Sequence, residues 1–176
     1  NEYENINVLA DNLEISDNGS TFTVELIDDA TFTNGEDITA EDVVWTYETL
    51  EAGASNYPYV NENAGEWSVV DDRTAELSFP EPAPATPGLL LSRWGIMHQD
   101  TWEPLLDDPA GYQPTPDEFV GSGPYDIADF ESGSFLSLEP YEDHPVYSVN
   151  NPLFFQAFQD RQTAVEAFIG GEVDIL

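Results

Sequence analysis

Hydrophobic and polar positions alternate in short runs along most of the chain, and Asn, Asp, Gly and Pro cut the runs apart. In SDNGSTFTVEL, a turn at Asp17, Asn18 and Gly19 precedes a strand that sets Phe22, Val24 and Leu26 on one face, as a period of two requires. Asn34 and Gly35 predict the next tight turn. The period then changes. Val43, Val44, Tyr47 and Leu50 recur at helical spacing and form a stripe to be buried, with Thr46, Glu48 and Thr49 facing water. Thr39 is a good N-cap, and Asp42 at the third helical position completes a variant capping box. Glu41 and Asp42 also lie at the positive end of the helix dipole. The crowded acids of TNGEDITAED therefore have a structural use before any chemical one.

WSVVDDRTAELSF reads as a hairpin turning at Asp71 and Asp72, with Ala75, Leu77 and Phe79 inward and Thr74, Glu76 and Ser78 outward. PEPAPATPG is the strongest breaker, yet short enough to be a connection within one domain. LLLSRWGIM after it is apolar and fits helix or strand equally. GSGPYDIADFESGSFLSLEP predicts a hairpin with Ser132 and Gly133 at its tip, where Gly121 and Gly123 permit a tight turn and Pro124 starts a strand. The last stretch, LFFQAFQDRQTAVEAFIGGEVDIL, predicts a strand from Leu153 to Gln159 and a helix capped by Asp160. A Gly170-Gly171 stop and a strand at Val173 to Leu176 complete a βαβ unit. The fold class is α/β, a mixed sheet with hairpins and flanking helices, in a single domain spanning residues 1–176. A chain of this length buries roughly 70% of its unfolded surface. Stopping on an apolar strand, it reads as a piece of something longer.

Charge narrows the function. Thirty-six Asp and Glu stand against three basic residues, Arg73, Arg93 and Arg161, for a formal net charge of -33. Such self-repulsion opposes a compact state in dilute buffer, whereas at about 1 M salt the Debye length is roughly 3 Å and most of it is screened. The chain fits a halophilic setting. A disordered acidic tail is excluded by 40% hydrophobic and 12% aromatic residues. Nucleic acid and anionic membranes need basic residues to bind and are set aside as partners. The absence of Cys removes disulfides, zinc-thiolate sites and thiol catalysis. No apolar run is long enough to span a bilayer, and NEYENINV is not a signal peptide.

The search for reactive constellations yields little. His98 and His144 are far apart, no HExxH or phosphate-binding loop occurs, and GSGPY lacks the spacing of a nucleophile elbow. Asp17 to Gly19 and Asn34 to Asp37 lack the alternating ligands and terminal Glu of an EF-hand. No catalytic residue, metal ligand or cofactor is predicted. Paired carboxylates of a carbohydrate hydrolase remain a rival reading, because their separation across a cleft is not written in sequence. A structural surface module with a salt-dependent interaction face is another.

The stretch LADNLEISDNGSTFTVELIDDATFTNGEDITAEDVVWTYETL resembles the family 5 extracellular solute-binding proteins of peptide and nickel ABC importers. Leu9, Ala10, Gly19, Thr21, Phe22, Phe32, Asn34, Gly35, Thr39, Ala40, Glu41, Asp42 and Val43 fit the family pattern. VVDDRTAELSFPEPAP, GSGPYDIADFESGSFLSLEPY and QTAVEAFIGGEVDIL resemble later blocks in the same order. The resemblance implies a two-lobed periplasmic-binding-protein-like fold of which this chain is a fragment of the first lobe, the second lobe being missing. It implies a monomeric, non-enzymatic component that captures oligopeptides or dipeptides, or a nickel or other metal chelate, for a membrane permease. It further implies an extracellular, lipid-anchored protein. The acidity departs from most members and matches a halophilic archaeal version.

Within that resemblance, Arg93 and Trp94 stand near the place where nickel-binding relatives use an arginine and aromatics to hold a carboxylate-bearing chelate. A guanidinium offers a bidentate fork for a carboxylate and an indole offers a stacking face. Tyr57 and Tyr59 are further candidates as pocket walls, whereas Trp45, Trp67 and Trp102 are assigned to packing. The charge balance itself makes a prediction: the melting temperature rises by several degrees between 0.1 M and 2 M KCl, as scanning calorimetry at fixed pH will record, and an unchanged value contradicts the repulsion argument.

Overall fold

A computed structural model describes residues 8–16, 18–54, 65–82, 95–108 and 115–175. Strands β1 (Ala10–Ile15), β2 (Thr21–Leu26), β3 (Glu66–Asp71) and β4 (Thr74–Ser78) form one sheet in the order β1-β2-β4-β3. All its pairings are antiparallel. The register sets Phe22 opposite Leu77 and Val24 opposite Ala75, so the inward residues of neighbouring strands meet. All four are buried, as is Leu26, in agreement with the period-two reading. Phe79, just past β4, packs edge-on against Phe22 at 6.0 Å.

Helix α1 (Ala40–Thr49) lies on this sheet. Both halves of its capping box form, and the Thr39 backbone N–H and hydroxyl each donate to Asp42 Oδ2 at 2.8 Å. Val43, Tyr47 and Leu50 are buried as predicted, and Val44 is half-buried against the same cluster. Tyr47 stacks on Trp67 of β3, ring centroids 4.7 Å apart. Each large side chain fully withdrawn from water contributes about 1.5–3 kcal/mol, so Phe22, Phe32, Tyr47 and Leu77 dominate the core. Thr46 departs from the expectation that it faces water: it is 0% exposed. Its hydroxyl accepts the Met97 N–H at 2.9 Å, and a chain crossing that face of the helix buries it.

The second sheet comprises β5 (Tyr125–Glu131), β6 (Phe135–Pro140) and β7 (Leu153–Gln156), again antiparallel and in that order. The β5–β6 hairpin turns as predicted, with Gly133 at φ 76°. Gly121 and Gly123 do not use the left-handed conformation that favours glycine. β7 stops at Gln156, short of the predicted Gln159, because Gln156 already pairs with Phe135, the first residue of β6. Helix α2 (Gln99–Asp107) lies between the sheets in sequence. Helix α3 (Arg161–Gly170) has Asp160 as its N-cap, accepting the Thr163 N–H at 2.8 Å, and ends at Gly171 with φ 75°. Residues 173–175 form no strand, so the expected βαβ unit is not completed among the described residues. They pair with no described strand, and Ile175 is 86% exposed.

The core belongs to the first sheet and α1. No residue of β5, β6 or β7 is buried, and Phe154 and Phe155 on the edge strand β7 are 65% and 52% exposed. One carboxyl lies at the margin of the first core. Glu51, in the π-helical turn Leu50–Ala54, faces the Trp67 indole short of hydrogen-bonding geometry. Burial pushes its pKa up to about 7 and Glu48 adds to the rise, while the Trp67 indole and Gly65 amide oppose it. Its folded-state value is raised, so the folded chain keeps this proton where the unfolded chain has released it. Stability therefore falls as pH climbs from the ordinary carboxylate range to about 7. Because Glu51 sits at the margin of the core and is only partly buried, screening reduces the effect to about 1 kcal/mol. Glu51→Gln should flatten that part of the pH–stability curve in urea titrations, and a curve parallel to wild type contradicts the assignment.

Candidate functional site

The two sheets are joined by a few directed bonds. The Thr33 N–H donates to the Gly121 carbonyl at 2.8 Å, and the Gly121 N–H donates to Thr33 Oγ1 at 3.2 Å. The Tyr141 hydroxyl lies 3.3 Å from Thr31 Oγ1, and within the second sheet the Tyr141 N–H donates to the Pro124 carbonyl at 3.0 Å. Beside this junction opens a hollow of about 510 Å³. Its walls are residues 95–97, Trp102 of α2, the loop 119–123 and the start of β5 through Asp126 and Ile127.

Each wall is fixed by the fold. The first is held through Met97, whose N–H reaches the buried Thr46 hydroxyl of α1, and Ile96, Met97 and Val120 pack against the main core. The α2 wall is anchored by His98, whose Nε2 lies 2.7 Å from Glu36 Oε2 and whose Nδ1 lies 3.1 Å from Thr101 Oγ1. The buried Thr101 hydroxyl gives its proton to the Glu118 carbonyl at 3.1 Å, so the chain is complete when both His98 nitrogens donate. The Asn34 side chain and His98 hold the Glu36 carboxyl below the usual carboxylate range. Gly95 and Ser122 face each other across the hollow. A Cβ on Gly95 would stand 3.1 Å from Ser122 Oγ, close enough that the hydroxyl would have to shift by a few tenths of an ångström.

The acids around Asn34 and Gly35 thus divide their work. Asp42 caps α1 and Glu36 holds His98. Among the described residues no group of three or more His, Asp or Glu side chains is placed to hold a metal ion. The hollow itself combines apolar surface from Met97, Trp102 and Ile127 with the Ser122 hydroxyl and the Asp126 carboxylate. Asp126 Oδ1 accepts the Ile127 N–H at 2.9 Å, which fixes its direction. Such a surface suits an amphipathic solute of a few residues: stacking faces for side chains, and a small number of polar anchors for its backbone and charged ends.

Arg93, Trp94, Tyr57 and Tyr59 lie outside the described residues. In sequence, Trp94 directly precedes Gly95. Trp102, which the sequence assigns to packing, lines the hollow, whereas Trp67 is buried in the core and Trp45 is half-buried. The glycine-rich GSGPY stretch also lines it, and its composition was the signal available for that wall. Nothing in the sequence distinguished Met97 or Asp126.

Residues 4–176 match the family described as bacterial extracellular solute-binding proteins, family 5, and the chain belongs to it. It is 23% identical over 191 residues to the probable ABC transporter periplasmic-binding protein SapA of Escherichia coli, matching 96% of this chain and 34% of that protein. Its fold is similar to Haemophilus influenzae OppA solved with the peptide RPPGFSPFR, with TM-score 0.75, 23% identity, and coverage of 94% and 36% of the two chains. It is also similar to Campylobacter jejuni NikZ solved with Ni(L-His), with TM-score 0.76, 20% identity, and coverage of 94% and 33%. The chain spans about a third of the length of SapA.

The Thr46–Met97 bond makes the hollow depend on the core. Thr46→Val keeps the volume and leaves the Met97 N–H without its acceptor, at a cost of about 1–2 kcal/mol. We expect a lower denaturation midpoint together with faster exchange of the Met97 amide, and an unchanged amide would separate that wall from α1.

Proposed function

We propose that this chain is part of the first lobe of the substrate-binding component of an ABC importer that captures oligopeptides or dipeptides outside the cell. The observation that carries the reading is the hollow at the junction of the sheets, apolar on Met97 and Trp102 and polar at Ser122 and Asp126, in a chain of the solute-binding family. Asp126 suits a peptide ammonium, and Arg93 with Trp94, next in sequence to the Gly95 wall, supplies a fork for a carboxylate and a stacking face. Tyr57 and Tyr59 add aromatic wall. The lobe forms one domain and requires a second lobe from the same polypeptide to enclose its ligand. Exposed Phe154, Phe155 and Ile169 support further chain packing against β7 and α3. The protein acts as a monomer without catalysis or cofactor. Closure of the second lobe over bound ligand generates the form that the permease reads. Lipid anchoring and life in concentrated salt, in a halophilic archaeon, complete the proposal.

The complete protein, purified at high salt and examined by native mass spectrometry, should carry a peptide. Arg93→Ala should weaken binding of that peptide by at least about tenfold, a bidentate charged contact being worth that much. A co-purified metal chelate would favour the chelate reading over the peptide one, and equal affinity of the variant would remove Arg93 from the site.

A further inference from the structure

His98 begins α2 and stands between two walls of the hollow. On one side is Met97, whose N–H is held by Thr46. On the other, the His98 carbonyl accepts the N–H groups of Thr101 and Trp102, at 3.2 Å and 3.1 Å. The His98 side chain is 13% exposed, so protein groups and not water must satisfy most of its ring. Phe32, buried in the core, packs edge-on against it at 5.0 Å. Glu36 Oε2 faces Nε2 at 2.7 Å, and Thr101 Oγ1 faces Nδ1 at 3.1 Å.

These partners determine where the ring protons are. A carboxylate only accepts, so Nε2 donates to Glu36. The Thr101 hydroxyl gives its one proton to the Glu118 carbonyl at 3.1 Å, so Nδ1 donates as well. An imidazole that donates at both nitrogens is the imidazolium cation. A neutral ring has one N–H: it either turns a lone pair toward the Glu36 carboxylate or draws the Thr101 proton away from the Glu118 carbonyl. Glu36 is itself fixed, its N–H bonded to Asn34 Oδ1 at 3.0 Å and its carbonyl accepting the Phe32 N–H at 2.8 Å. Asn34 and then His98 hold its carboxyl below the usual carboxylate range, so it stays ionised well into acid. The other acids of the facing elements are turned elsewhere. Asp37 and, on α2, Asp100 and Glu103 are exposed, and the Glu118 carboxylate accepts the Thr115 N–H and hydroxyl. Among the described residues, the ion pair of His98 is with Glu36. A cation at a helix N-terminus opposes the helix dipole, and the Glu36 carboxylate supplies the compensating charge. We propose that His98 is a positioning residue of the hollow that works as the cation: clamped between Glu36 and Thr101, it ties α2 and Trp102 to the turn at residues 34–36, and loss of a ring proton as pH rises loosens that wall. The consequence for affinity rests on the reading of the hollow as a peptide site, whereas the consequence for α2 does not.

Glu36→Gln separates a charged clamp from an ordinary hydrogen-bonded one. A glutamine amide can donate to Nε2, so in E36Q a neutral ring with its proton on Nδ1 completes the same chain. In the protein at high salt, nitrogen-15 spectra at about pH 6 should show both ring nitrogens of wild-type His98 protonated. With intrinsic base catalysis divided out, the wild-type Trp102 amide should exchange about tenfold faster at about pH 9 than at about pH 6, as loss of one charge-assisted bond predicts. In E36Q it should stay level. A wild-type ring with a single proton at about pH 6 overturns the proposal whether or not the variant folds. So do parallel exchange profiles in the two proteins. In the complete protein, tri-alanine titrated against Trp fluorescence should lose about fivefold in affinity over the same interval in wild type relative to E36Q, a ratio that cancels titration of the peptide's own ends. A flat ratio overturns the part of His98 in binding. Failure of wild type to bind tri-alanine counts against the peptide reading alone, and ring protonation and exchange still decide the role of His98.

Discussion

The packing of α1 across β2, β3 and β4 governs the rest of the described structure. Phe22, Leu77 and Ala75 supply the floor, and Val43, Tyr47 and Leu50 close it from above. Thr46, a fully buried hydroxyl on that helix, accepts the Met97 N–H. A core otherwise built on apolar contact, which has little directional preference, thereby acquires a directed bond, and that bond sets where the chain leaving the core begins the wall of the hollow. The second sheet makes no comparable core. It is located by the Thr33–Gly121 bonds and the Tyr141–Thr31 hydroxyl contact, so the geometry between the sheets depends on a few polar contacts whose partners are fixed by the rigid half.

The charge of -33 is dispersed in a way consistent with that division of labour. Acids that have a structural use are held by specific donors: Asp42 by Thr39, Asp160 by Thr163, Glu118 by Thr115 and Glu36 by His98. Arg73 is gathered against Glu25 and Asp28 and also reaches the Leu26 carbonyl, at the end of β2. It is partly exposed, so its ion pairs are worth little in themselves. Capping and local hydrogen bonding let the chain carry many carboxylates without placing them in the core.

Local rules were legible in the sequence, and they gave most of the first sheet. The alternation of Phe22, Val24 and Leu26, the inward set Ala75 and Leu77, the Thr39–Asp42 box and the Asp160 and Gly171 helix ends all depend on residues within a few positions of one another. The order of residues from Phe32 to Val43 also pointed to the family, a pattern no single charge could supply. What was not legible depends on partners distant along the chain. Thr46 is polar and sits beside exposed Glu48, and only Met97, fifty-one residues away, explains its burial. The same holds for His98 with Glu36 and for Trp102 in the hollow. The expected strand at Val173 to Leu176 is absent over residues 173–175 for a related reason: apolar composition favours a strand, but a strand exists only where it pairs with another, and these residues pair with no described strand.

β7 presents that same requirement from the other side. Its outer backbone edge has no neighbour among the described strands, and its side chains Leu153, Phe154 and Phe155 carry no charge. In dilute buffer the long-range repulsion between such acidic molecules keeps two of these edges apart. Concentrated salt screens the repulsion that opposes folding and the repulsion that opposes self-association by the same factor. The ion atmosphere that favours this fold therefore also lowers the barrier to edge-to-edge aggregation, and colloidal solubility and thermal stability run in opposite directions along the salt axis whenever β7 is left uncovered.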